Sequence, residues 1–142
     1  MRVEASKELL ASRVDVWALL TEPYHLSDWW PGIHAVNPDK RGLAAGARWE
    51  VIGPPQPSLL RGASNRSLLL VRRVEPYESV AWYLPSQRLD VEVRLRAAGT
   101  ERTLATVAIE GPWRPEALGR PRRLPRDALN RLSALCQTAA SL

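Results

Sequence analysis

The 142-residue sequence has one cysteine, one methionine, two histidines and no phenylalanine. A lone cysteine, Cys136, excludes an internal disulfide, and its neighbours Leu132, Leu135 and Ala139 mark it as a small apolar packing residue. His25 and His34 with one thiol make no recurring ligand set, so no metal is expected. Gly42, Gly46 and Gly53 fit neither a phosphate-binding loop nor a dinucleotide fingerprint, and no serine stands in a Gly-x-Ser-x-Gly context, so no cofactor is expected either. No stretch approaches the roughly 18 to 20 uninterrupted apolar residues of a membrane span. The opening Met1-Arg2-Val3-Glu4-Ala5-Ser6 carries an acid and no apolar core, so it does not read as a signal peptide and a cytoplasmic location is the expectation.

Lysine is scarce as well: of twenty basic residues eighteen are arginine, and the net charge is +5. The arginines are scattered, which argues against a nucleic-acid surface. Only Arg120, Arg122, Arg123 and Arg126 crowd together, in a Pro-rich stretch that reads as a solvated loop before the last helix. The length suits one domain with a sizeable core, and 1–142 is expected to be one.

What is present is a clear division of pattern. Val3 to Leu10 reads as a strand. Ser12 offers an N-cap with Asp15 three residues on, and Val14, Trp17, Ala18 and Leu20 follow at helical spacing, predicting a helix over 13–21. Pro23 suits the first turn of a second short helix carrying Tyr24, Leu26, Trp29 and Trp30, which Pro31-Gly32 ends.

From there to Ile109 short β-branched and aromatic runs alternate with turns, predicting strands over 33–39, 47–52, 67–75, 79–84, 89–97 and 102–110. In Leu89-Asp90-Val91-Glu92-Val93-Arg94-Leu95-Arg96 four aliphatics face one side and four charges the other, so one face of the sheet is wet. Two long Pro-containing loops, 53–66 and 111–125, interrupt the pattern. Pro125 can occupy a helix's first turn, and Ala128, Leu129, Leu132, Leu135, Cys136 and Ala139 then form one apolar stripe. The fold class is α+β: a seven-stranded antiparallel sheet, two short helices after the first strand, and a long C-terminal helix.

That order resembles the helix-grip fold of the START-related, pollen-allergen-like superfamily (SRPBCC). The stretch Ser12-Arg13-Val14-Asp15-Val16-Trp17-Ala18-Leu19-Leu20-Thr21-Glu22-Pro23, then Leu26, Asp28-Trp29-Trp30-Pro31-Gly32 and Val36, is similar to the N-terminal signature of its polyketide cyclase/dehydrase-like branch. Glu75-Pro76 and Gly99-Thr100-Glu101-Arg102-Thr103 match its usual turns. The resemblance implies a curved sheet gripping the last helix, with a cavity between them for a lipid, polyketide or other apolar ligand. Its motifs are structural, so they speak to fold more than to activity.

The expected ligand-binding residues are Trp30, Trp49, Val51, Trp82, Leu84, Val91, Val93, Val107, Leu129 and Leu132, with Trp113 near the entrance. Each tryptophan pairs a large apolar face with one N–H donor. Catalysis would need polar groups in the pocket. His34 after the Trp-Trp-Pro-Gly turn, Tyr83, and one of the adjacent Arg72 and Arg73, which the pleat should send to opposite faces, are the candidates. Binding of a small hydrophobic molecule is the leading expectation. A polyketide cyclase or dehydratase and a chaperone-activator-like interaction module are the alternatives, and a side-chain-filled interior would favour the last. Monomer and homodimer both stay open: the charged sheet face argues against a large apolar dimer surface, while edge-strand pairing does not conflict with it.

Overall fold

The computed structural model describes residues 1–54, 65–113 and 120–140. Seven strands form one antiparallel sheet: β1 (Arg2–Leu9), β2 (Ala35–Asn37), β3 (Arg48–Ile52), β4 (Arg66–Glu75), β5 (Ser79–Leu84), β6 (Leu89–Gly99) and β7 (Arg102–Glu110). The strand order is β1-β7-β6-β5-β4-β3-β2, so the first strand closes beside the last. Among the described residues three α-helices, α1 (Arg13–Thr21), α2 (Leu26–Trp29) and α3 (Arg120–Ala140), accompany the sheet.

α1 begins where expected, because the Ser12 hydroxyl accepts the Asp15 amide at 3.2 Å. The second short helix is a 3₁₀ turn over Pro23–His25 running into the single turn of α2. Gly32, at φ 87°, then reverses the chain. β2 is shorter than the predicted 33–39. Pro38 has no amide to donate, and the Asp39 carboxylate takes the amides of Arg41 and Arg48, both at 2.9 Å, turning the chain away from the sheet.

The alternation in β6 holds: Leu89, Val91, Val93 and Leu95 are buried while Asp90, Arg94 and Arg96 are exposed. β4 departs from simple pleating. Its register against β5 shifts between Val71 and Arg73, leaving Arg72 as an extra residue in a bulge.

α3 also differs from expectation. It begins by Arg120, so Pro125 sits inside the helix instead of in its first turn, at the loss of one backbone hydrogen bond. Arg122, Arg123 and Arg126 thus stand exposed on the first turns of a helix, not in a loop. Ala128, Leu129, Leu132 and Cys136 form the buried stripe, and the helix lies against β1, β7 and α2. No described helix is long and apolar enough to cross a membrane.

Candidate functional site

The inner face of the sheet, α1, α2 and α3 enclose one apolar core. Its centre is aromatic. Trp29 and Trp30 come from the end of α2 and Trp82 from mid-β5, and all three pairs meet edge-to-face at centroid distances of 5.7, 6.0 and 5.4 Å. Adjacent tryptophans can both point inward because the chain leaves the helix at Trp30. Each such pair adds about 0.5–1.5 kcal/mol beyond area burial.

Beside this cluster lies a void walled by Leu20, Leu26, Trp29, Leu43, Trp49, Leu69, Val71, Val80 and Trp82. Its volume is about 10 Å³, room for one water molecule. Two tryptophans in its wall differ in one respect. The Trp49 Nε1–H donates to the Gly42 carbonyl at 3.1 Å. Trp82 is 4% exposed and its Nε1–H has no acceptor among the described residues. An orphaned buried donor costs about 1–3 kcal/mol, so this position is set to reward an acceptor.

The lid over Trp49 is the loop from Asp39 to Ala47. Gly42 and Gly46 take positive φ, 63° and 89°, which lets the chain fold back so that the Gly46 amide donates to the Val71 carbonyl at 2.8 Å. The two backbone amides on Asp39, from Arg48 and then Arg41, hold its carboxyl below the usual carboxylate range and fasten the base of the loop. Leu43 is thereby placed over the void.

Of the residues singled out in the sequence, Trp49 and Trp82 line the void. Trp30, Val91, Val93, Val107, Leu129 and Leu132 are buried in the surrounding core. Val51 and Leu84 are buried too, at a second depression of about 220 Å³ between Gly32 and Asn65. Trp113 is half-buried and folded back on Gly111, where a Cβ would come within 2.7 Å of its ring. Leu20, Leu26, Trp29, Leu43, Leu69, Val71 and Val80 carry no such expectation from the sequence; Val71 pairs with Trp82 and Leu69 with Trp49, but Leu43 stands in a loop where no periodicity marks it.

None of the catalytic candidates points into the core. His34 is exposed, and its backbone amide pairs with the Ile52 carbonyl at 2.7 Å. Arg72 and Arg73 both face solvent, because the bulge cancels the alternation that would have separated them. Arg72 lies 4.4 Å over the Tyr83 ring and 3.4 Å from Asp90, so Tyr83 is on the outer face as well. Among the described residues the buried polar side chains are Ser79 and Thr103, and the Thr103 hydroxyl donates to the Ala11 carbonyl at 2.8 Å. Burial pushes the Cys136 thiol up to about 11, with Asp15 adding to the shift. Among the described residues no group of three His, Cys, Asp or Glu side chains could hold a metal ion.

No family model matches the chain, and no curated protein does. Solved structures do. A Nitrosomonas europaea protein superposes with TM-score 0.74 at 16% identity, covering 100% of this chain and 97% of that one. Norcoclaurine synthase from Thalictrum flavum, in complex with a transition-state analogue, gives 0.70 at 15% identity over 99% of this chain and 96% of that one. A protein of the dynemicin biosynthetic locus gives 0.69 at 22% identity; 97% of this chain is covered, but only 48% of that one. These likenesses establish the helix-grip fold.

Proposed function

We propose that this protein binds a small apolar molecule carrying one hydrogen-bond acceptor, in the interior beneath the Asp39–Ala47 loop. The observation that carries the reading is that Trp82, a residue lining an apolar void, has a buried Nε1–H with no acceptor among the described residues. Trp30, Val91, Val93, Val107, Leu129 and Leu132 form the outer shell of that site, Val51 and Leu84 its end beside Gly32, and Trp113 its rim. The helix-grip fold and the Trp-rich N-terminal stretch support the polyketide cyclase-like branch, and neighbours such as norcoclaurine synthase and the dynemicin-locus protein favour a ligand of aromatic or polyketide type.

A drug-sized pocket has about 300–1,000 Å³, far more than the void offers, so binding requires displacement of a wall. The Leu43 loop is the wall that moves, since it is fastened by a few hydrogen bonds and not by the sheet ladder. Native mass spectrometry of the purified protein tests this. A reproducible non-covalent adduct of one small molecule per chain is the predicted result; a clean apo mass, together with unchanged tryptophan emission across an aromatic ligand panel, overturns it.

The filled interior favours a second reading, an interaction module similar to the chaperone-activator relatives, in which the sheet exterior does the binding. A cyclase or dehydratase requires an acid or base in the pocket, and His34, Tyr83 and Arg72 do not supply one there.

A further inference from the structure

The outer face of the sheet carries a lattice of ion pairs. Glu92 accepts from Arg73 at 2.6 Å and pairs with Arg94 at 3.1 Å; Arg94 also reaches Glu4 at 3.2 Å, and Arg73 reaches Glu75 at 3.0 Å. Next to this lattice, where the β4–β5 turn, the β6–β7 end and the start of α1 converge, lies a groove of about 740 Å³. Arg13 and Arg96 line it, and neither has an ion-pair partner among the described residues. Among the described residues that line the groove, Glu78 is the single carboxylate outside the ion pairs, so the unpaired guanidinium groups outnumber it.

The floor supplies the second element. Ser79 opposes Arg94 across β5 and β6, so its side chain shares the outer face with that arginine. As a residue it is 6% exposed, and its hydroxyl, open to the groove, has no hydrogen-bond partner among the described residues. Leu104, opposite Arg96 across β6 and β7, adds apolar floor. A hydroxyl without a protein partner, in the same groove as two uncompensated guanidinium groups, makes a donor set for an oxyanion, and guanidinium is the side chain best matched to carboxylate and phosphate oxygens.

We propose that this groove is a second binding site, taking the carboxylate or phosphate of a small organic anion whose apolar body rests on Leu104. It is separate from the interior site, because the sheet itself stands between Ser79 and the void. Titrating the ¹⁵N-labelled full chain with phenyl phosphate and with benzoate, against sodium chloride at equal ionic strength, tests the inference and distinguishes the two anions. Saturable amide shifts at Arg13, Ser79 and Arg96 are expected with at least one of them, and the tighter ligand identifies the anion class. Arg96→Gln, at an exposed position, and Arg13→Gln, at a half-buried one, should each weaken binding roughly three- to tenfold, and Ser79→Ala should do so to a smaller degree, while the spectra report that each variant is folded. Shifts no larger than those with chloride, saturable shifts confined to Arg122–Arg126, or affinities unchanged in the arginine variants would each overturn it.

Discussion

The indole of Trp82 lies edge-on to that of Trp30 at a centroid distance of 5.4 Å, yet its N–H finds no acceptor among the described residues. The ring is held by Trp29 and Trp30 on the helix side and by the β-sheet ladder on its own. It cannot turn to reach water without breaking that packing. The donor is thus pre-positioned, and the unfavourable term it carries is available to any ligand that satisfies it.

The loop that covers the void depends on Asp39. Replacing it by Ala removes acceptors from the Arg41 and Arg48 amides, and we expect the melting temperature to fall. Because its folded pKa is depressed, the contribution of Asp39 is fully present above 3.8, its unfolded value, and is lost as pH falls through the lower folded value. Wild type and Asp39→Ala should therefore converge in stability on acidification, which thermal melts across pH 2 to 6 would reveal. A constant gap would show that the loop is fastened by something else.

Cys136 is predicted to be inert. At pH 8 the folded protein should react with a disulfide reagent far more slowly than the unfolded chain, since the thiol ionises only near 11. Between pH 9.0 and about 11 the unfolded chain releases this proton while the folded one retains it, so rising pH favours unfolding over that window, and Cys136→Ala should remove the thiol's share of that slope.

Leu132 and Glu92 test the two faces of the sheet. Leu132 is fully buried in the α3 stripe, and Leu132→Ala should cost about 2–5 kcal/mol in chemical denaturation. Glu92 is the centre of the outer ion-pair lattice, but its arginine partners are about half exposed. Glu92→Gln should cost about 1 kcal/mol or less, and the difference should shrink in 1 M salt. A large, salt-independent loss would mean that the outer lattice holds the fold together.

These contrasts follow what the sequence made legible. Strict alternation in β6 and the Ser12 cap are local signals, and both elements appear where they were predicted. The Arg72–Arg73 alternation failed because a bulge is a property of the strand pair, and nothing in β4 alone announces it. Pro125 misled for a related reason: proline marks a permitted helix start, but the helix had begun by Arg120. The interior site was legible as a set of inward-facing apolar residues. Which of them border open space was not, since that depends on how Leu43, from a glycine-flanked loop, comes down on Trp49 and Trp82. Likewise, tryptophans in a sequence look alike; only packing shows that the Trp49 N–H is paired and the Trp82 N–H is not.

The most direct test of the central claim is calorimetric titration of wild type and Trp82→Phe with a matched pair of ligands, 1-tetralone, which carries a carbonyl acceptor, and tetralin, which does not. If Trp82 anchors an acceptor in the interior, the substitution should weaken tetralone binding about five- to tenfold relative to tetralin, the value of one hydrogen bond to a buried donor. An equal change for both ligands, or binding of neither, would contradict the account.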